Sequence, residues 1–308
     1  MATAVGLSSF AVVAQEATDA QDFVDDLYRL EEFLKQETSI ASMTRMSARE
    51  SPGVITIMNE EEIRNSGARD LLELVMLVPG FTPSGDVQGV VGLGTRGLFN
   101  GVLLLVDGQE FNEIMFSTLQ VGNRVPLDQV QRIEIIRGPG SAIYGGFAEL
   151  AVINVITKAG NGFEGLSVTG SYSQTTRSYG RRGISAAYGA RFGDLQVGVS
   201  AAIGEGKRSD RVYNDLYGGS FDMAENANVD PKNVNVSLGY KGFRLRLMFD
   251  DYSLTQRDGF DVVMDSTERM TFRSYFAEAA YDHELADGLK LSTRLNYKLQ
   301  QPWHNRNP

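Results

Sequence analysis

The residue types that ordinarily do chemistry are scarce in this chain. Cysteine is absent and histidine occurs twice, at His283 and His304. Thiol catalysis, disulfide scaffolds and zinc–thiolate sites are therefore excluded. Ser141 lies among glycines as a nucleophile can, but neither histidine has a companion signature that would make it a base for Ser141. Gly92-x-Gly94-x-x-Gly97 satisfies the dinucleotide fingerprint as a pattern. Residues 98–106 read as a loop and then a strand, so the helix that would hold a pyrophosphate is missing. Asp258, Asp261 and Asp265 could hold a cation, but solvated loop charge is the simpler reading. What remains is a set of charges inside an apolar run: Arg132, Glu134 and Arg137. Charges so placed need partners, because an unpaired buried charge costs several kcal/mol. Their chemistry is that of ion pairing, not of bond making.

The elements that position these charges are strands. Val130, Ile133, Ile135 and Ile136 precede Arg137-Gly138-Pro139-Gly140-Ser141, and Val152, Ile153, Val155, Ile156 and Thr157 follow it. Two β-branched runs around a glycine–proline turn, with Tyr144-Gly145-Gly146 as a second soft point, predict a strand pair. Residues 125–158 closely resemble the most recognisable segment of the plug domain of TonB-dependent outer-membrane receptors. The likeness lies in the RIE-x-x-RGP core, the Tyr144-Gly145 pair and the closing INVITK.

The likeness extends upstream, over about residues 37–158. Residues 51–57 read as the opening strand of such a plug. Asn59 with Glu62 three positions later predicts a helix start, and Gly67 its stop. A second helix is expected over 68–78, ended by Pro79-Gly80. Thr95-Arg96-Gly97 and the apolar strand 102–106 closing in Asp107-Gly108 match further family elements. Glu149-Leu150-Ala151 departs from the family's usual small residues and glycine. The resemblance implies that Arg96, Arg132, Glu134 and Arg137, with the motif residues Gly97, Asp107, Gly108, Gly138, Pro139, Tyr144 and Gly145, belong to the polar network that holds plug to barrel wall. On that basis Arg137→Ala is expected to loosen the plug. Gly85, Asp86, Gln88, Phe111 and Asn112 are expected at the apex, facing ligand.

Ahead of the plug, residues 1–14 read as the end of a truncated secretory signal, lacking a basic n-region; an unstructured start is the alternative. Residues 15–36 form an acidic extension in which Phe23, Leu27, Leu30 and Leu34 recur at helical spacing. In residues 37–46, Thr38, Ser39, Ile40, Ala41 and Ser42 occupy the place of the family's TonB box, an extended segment suited to adding a strand to a partner's sheet. By itself the hexapeptide 37–42 reads as a linker.

After a plug assigned to 47–160, the period over 161–308 becomes two. Leu195, Val197, Val199, Ala201 and Ile203 alternate with smaller or polar residues, and so do Leu289, Leu291, Thr293, Leu295 and Tyr297. One apolar and one hydrated face suits strands between lipid and a polar lumen. Tyr172, Tyr188, Tyr240, Tyr275, Tyr281 and Tyr297 are placed for an interfacial girdle. Short turns at 193–194, 241–242 and 287–288 alternate with long loops, as in outer-membrane barrels. The fold class expected is an α+β plug followed by antiparallel transmembrane β-barrel strands, an incomplete barrel of about seven. A barrel enclosing a plug needs about twenty-two strands, so an N-terminal fragment with an open, curved sheet around one side of the plug is expected. A formal net charge of −10 argues against nucleic acid.

The resemblance implies an outer-membrane receptor of a Gram-negative bacterium, its plug facing the periplasm. It would take up a scarce nutrient, such as a ferric siderophore or corrinoid, through TonB and its inner-membrane energising complex, with no cofactor and no covalent step. The alternative from another class is a truncated, non-transporting interaction protein that keeps the plug.

Overall fold

The computed structural model describes residues 37–38, 46–47, 54–85, 91–99, 101–114, 121–138, 144, 147–286 and 289–306. The expected signal segment, the acidic helix, and Ser39, Ile40, Ala41, Ser42, Asp86, Gln88, Pro139, Ser141 and Gly145 lie outside the described residues, as does the turn at 287–288.

Two short strands, β1 (Glu37–Thr38) and β2 (Met46–Ser47), pair antiparallel. From β3 (Val54–Asn59) the chain enters α1 (Glu60–Asn65) through the expected capping box. The Asn59 side chain accepts from the Glu62 amide at 2.9 Å, and Glu62 accepts from the Asn59 amide at 2.8 Å. Helix α2 (Leu71–Met76) starts later than the sequence suggests. Asp70 is extended at φ −150° and caps the helix itself, accepting from the Glu73 amide at 3.0 Å. The strands that follow are β4 (Phe81–Gly85), β5 (Val91–Thr95), β6 (Leu98–Phe99), β7 (Val102–Val106), β8 (Gln109–Glu110), β9 (Val130–Arg137) and β10 (Ala151–Thr157). The glycine pattern 92–97 spans β5 and its turn into β6, and no helix follows.

Sheet order is β3-β9-β10-β7-β8, with β10 parallel to β7 and antiparallel to β9. Both faces are buried. Ile133, Ile135, Leu104 and Ile153 pack under Ile63, Leu71, Leu74 and Val75 of the two helices. Ile55, Ile57, Leu103, Ile136 and Val152 form the opposite layer. Near-continuous apolar runs in β7 and β10 follow from burial on two sides.

Seven long strands make the second unit: β11 (Gly165–Gln174), β12 (Tyr179–Phe192), β13 (Leu195–Lys207), then, beyond a small hairpin of β14 (Val212–Asn214) and β15 (Ser220–Asp222), β16 (Asn228–Tyr240), β17 (Phe243–Gln256), β18 (Glu268–Ala286) and β19 (Leu289–Arg306). All neighbours are antiparallel, and the described sheet is open, with β11 and β19 at its edges. Several strands run further into the expected loops than alternation alone indicated. At one end, Lys241-Gly242 turns β16 into β17 with φ +45° and +82°, the twist-matched hairpin geometry. The longer connections, 208–227 and 257–267, lie at the other end.

The two faces of this wall are inverted relative to a soluble sandwich. Leu166, Ile184, Tyr188, Phe192, Leu247 and Leu295 are all exposed. Register aligns them into rows such as Tyr188–Val199–Val236–Leu247–Ala277–Tyr297. The buried side carries Ser185, Ser200, Asn235, Asp250, Ser274 and Glu278. Apolar out and polar in is what a strand between hydrocarbon and an aqueous lumen requires. No described helix is long and apolar enough to cross a membrane.

Candidate functional site

The α/β unit meets the inner face of the wall along a polar seam, built by three corners where the chain leaves the first sheet. In the first corner Asp107 sits at φ +50° and is buried. Its carboxylate accepts from the Thr157 amide at 2.9 Å and the Thr157 hydroxyl at 2.6 Å, and Asn235 of the wall donates to it at 3.5 Å. Its backbone carbonyl accepts from Arg246 of β17. Burial holds the Asp107 carboxyl above its usual range, and the Arg246 charge pulls the other way.

Around Gly122 and Arg124, the second corner holds the most buried ion pair across the seam. Arg124 Nε reaches the two Asp250 oxygens at 3.2 and 3.0 Å, and Nη2 reaches Oδ2 at 2.5 Å. The two side chains are 5% and 4% exposed. The guanidinium lies over the rings of Phe111 and Tyr252, 5.2 and 5.6 Å from their centroids. Tyr252 donates to the Gly122 carbonyl at 2.8 Å.

In the third corner, 157–163, backbone meets backbone. Ser237 donates to the Ala159 carbonyl, and Gly198 and Gly189 leave room for the carbonyls of Ala159 and Phe163. Beside these corners Gln129 donates to the Ala201 carbonyl at 2.6 Å, and Gln109 to Glu278 at 3.2 Å and Asn296 at 3.4 Å. Apolar contact across the seam centres on Phe111, stacked on Phe276 at 5.2 Å, with Met248 joining the same core. The junction is thus mostly hydrogen bonds, which water can replace when the units part. A dry apolar interface of the same size would resist separation.

Several sequence-derived positions fall elsewhere. Arg132 pairs with Glu134 at 2.8 Å within β9, and Arg137 donates to the Pro79 carbonyl at 3.0 Å. Both are contacts inside the α/β unit. The reason is topological: β9 lies between β3 and β10, so its side chains face the two layers of its own unit, while the corners reach outward. Arg137→Ala should therefore disturb the Pro79 turn more than the seam. Arg96 is exposed on the β5–β6 turn at φ +52°, followed by Gly97. Tyr144 is half-buried beside the second core layer, and burial, then Glu134, pushes its hydroxyl up to about 12. Gly108 completes the Asp107 turn and Gly138 donates to the Leu150 carbonyl at 2.9 Å.

Phe111 and Asn112 also need correcting as apical positions. Phe111 is sealed in the seam, and Asn112 is fully buried, donating to the Val102 carbonyl at 2.9 Å and accepting from the Leu104 amide at 2.8 Å. The chain doubles back along β7 after Asp107-Gly108 and tucks both inward. Gly85 is exposed at the end of β4. Sequence reading missed Arg124, Gln129, Arg246 and Glu278. Asp250, the partner of Arg124, was missed with them.

In the long connections, Asp258 is taken by Arg208 at 2.5 Å. Asp215 ties two loops together, accepting from the amides of Val263, Tyr217 and Gly219 at 2.8, 2.8 and 2.7 Å. The Val263 amide, then the nearby loop amides, hold its carboxyl below the usual range. A depressed carboxylate stabilises above its unfolded pKa and loses that contribution as pH falls through the folded value. Hydrogen exchange at Val263 and Gly219 should therefore lose protection on acidification below about pH 4. Protection unchanged through that window would show that Asp215 does not join the loops.

This arrangement, an α/β unit seated on the polar face of an antiparallel wall, is that of a plug against part of a β-barrel. Comparison with known proteins agrees. Residues 47–152 match the TonB-dependent Receptor Plug Domain. The chain is 35% identical over 145 residues to the vitamin B12 transporter BtuB of Vibrio vulnificus, covering 42% of this chain and 23% of that one. It is 30% identical over 180 residues to the ferrienterobactin receptor of Escherichia coli, covering 53% and 22%. In fold it resembles the crystal structure of the siderophore receptor PiuA from Acinetobacter baumannii, with a TM-score of 0.60 at 15% identity, over 88% of this chain and 39% of that one. The chain carries a TonB-dependent receptor plug domain at residues 47–152, followed among the described residues by a sheet of seven antiparallel strands. It spans less than a third of the length of these two curated relatives.

Proposed function

We propose that the protein takes up a scarce nutrient across the outer membrane by energy-coupled displacement of its plug. The observation that carries this reading is the seam: a well-packed plug held to a polar lumenal wall by hydrogen bonds and one buried ion pair. Such a junction is closed at rest and separable under load. In this reading residues 47–160 are the plug, facing the periplasm, and 161–308 are barrel wall with the long connections outside. Residues 1–14 belong to a secretory signal and 15–36 to an acidic extension. Residues 37–46, with Thr38, Ser39, Ile40, Ala41 and Ser42, form the segment that TonB captures as an added strand. Gly85, Asp86 and Gln88 contribute to the apical ligand surface. The relatives named for vitamin B12 and ferric enterobactin support a corrinoid or ferric siderophore as cargo.

No bond is made or broken in this cycle. Ligand binding shifts the population of a plug whose amino-terminal segment is accessible to TonB, and force then opens the seam. The test is uptake by cells carrying the receptor at its own locus. Saturable uptake of a ferric siderophore or corrinoid that collapses with the proton-motive force is expected. Ligand binding with no energised uptake would instead assign a scaffold role.

A further inference from the structure

The outward face of the wall changes character within one step of register at the end that bears the long connections. Ala186–Ala201–Val234–Phe249–Tyr275–Leu299 is an apolar row. The next row on the same face contains Lys232–Asp251–Arg273–Gln301. Further along the face stand Arg182, Glu205, Lys207, Asp230 and Arg269. At the opposite end the outward row Phe192–Leu195–Tyr240–Phe243–Tyr281 carries no charge. The two margins of this apolar belt are therefore built for different surroundings.

The charges of the band do not cancel. Arg182 pairs with Glu205 at 2.6 Å, Arg269 with Asp230 at 3.1 Å, and Arg273 with Asp251 at 2.5 Å. Each carboxylate is thus held by an arginine, and two lysines are left over. Lys207 shares the Tyr179 ring with Arg182, 5.2 and 4.4 Å from its centroid, and donates to Asn228 at 2.8 Å. Lys232 is exposed and, among the described residues, forms no ion pair within 4.0 Å. The band keeps a positive excess in a chain of net charge −10. A depression of about 880 Å³ opens within it, bounded by Lys232, Phe249, Asp251, Arg269, Arg273 and His304. A bulge in β19 shapes it, where pairing passes from Arg273–Gln301 to Thr271–His304. Its belt side is Phe249, packed on Tyr275 at 5.1 Å, and its far side is charged.

We propose that this depression seats a phosphate-bearing lipid of the leaflet that meets the long connections. Its phosphate oxygens lie on Lys232 and Arg273, and its acyl chains run down the apolar rows past Phe249 and Tyr275. An ammonium supplies a mobile point charge, and a guanidinium supplies paired donors to phosphate oxygens. Asp230 and Asp251 hold the arginines in place and leave the excess at Lys232. A zwitterionic headgroup would gain little from that excess, whereas an anionic one is drawn to it. The volume falls in the roughly 300–1,000 Å³ range of pockets that enclose a small molecule, which suits a headgroup. This inference rests on the reading of residues 161–308 as barrel wall in a membrane, and it names the lipid class that the wall selects.

Native mass spectrometry of the full chain in a non-ionic detergent tests it, with dioleoyl phosphatidic acid and dioleoyl phosphatidylcholine added separately. Saturable retention of phosphatidic acid is expected, about fivefold or more tighter than that of phosphatidylcholine. Lys232→Gln, which breaks no ion pair, should remove most of that preference. Asp251→Asn, which releases Arg273, should increase it. Lys241→Gln makes the same charge change at the opposite end of the wall and should leave it as it is. Equal retention of the two lipids, or a preference that survives Lys232→Gln, overturns the headgroup site and leaves the barrel reading standing. Retention of neither lipid overturns the barrel reading as well. Glycerol phosphate binding as tightly as phosphatidic acid would overturn the choice of a lipid over a free phosphate.

Discussion

Arg124→Ala is expected to loosen the plug by about 3–5 kcal/mol, the usual penalty for removing one member of a buried ion pair. Asp250 would be left 4% exposed, facing the seam without its guanidinium, and the stack of Arg124 on Phe111 and Tyr252 would go as well. The penalty comes mainly from the stranded charge. Arg124→Leu with Asp250→Leu together should therefore cost much less than either single change. Protease release of the plug from folded receptor, taken through a double-mutant cycle, measures the coupling directly. A loss below about 1 kcal/mol in the single variants would mean that the pair is solvated and adds little to docking.

Gly198→Val is expected to unseat the plug's exit segment while leaving the wall intact. A Cβ at Gly198 would strike the Ala159 carbonyl and the Ser237 hydroxyl oxygen. At Gly189, its cross-strand partner, a Cβ would overlap the Phe163 carbonyl. Both obstacles are principally backbone, which cannot rotate aside, so the cost should reach or exceed the ~1–3 kcal/mol of ordinary overpacking. The sign is diagnostic. Valine is the better strand former, so the isolated wall should gain, whereas docking should be lost. New protease cleavage between residues 152 and 165, with the folded wall retained, is the expected readout. If Gly198→Val and Gly189→Val both dock normally, the close approach of residues 159–163 to the wall is wrong.

The fold was legible where one residue's neighbours in sequence decide its state. Asn59 and Glu62 announced their helix because a capping box is local. The seven strands were visible because alternation is local too, and the exposed row through Tyr188 and Leu247 is its outcome. The seam was not legible. Arg124 meets Asp250 across 126 positions, Asn235 meets Asp107 across 128, and Gln109 meets Glu278 across 169. No spacing rule links such residues. A lone arginine in Gly122-Asn123-Arg124 looks like an ordinary loop charge.

Arg132 and Glu134 pair for a local reason: two positions apart on a strand places them on one face, where they meet at 2.8 Å. Phe111 and Asn112 followed an Asp-Gly turn and resembled an exposed tip. The return of the chain along β7, set by the Phe111 amide bonding the Leu104 carbonyl at 2.8 Å, buries them instead.

The central claim is that the plug rests on this lumenal wall and must leave it for cargo to pass. Gln109→Cys with Asn296→Cys tests it most directly, because the two side chains meet across the seam at 3.4 Å and the chain has no native cysteine to interfere. With the receptor at its own locus, a short bifunctional thiol reagent with a cleavable disulfide spacer should bridge the two cysteines, stop energised uptake, and release it again on reduction. Failure of the pair to crosslink in folded receptor, or full uptake by the crosslinked form, would contradict the account.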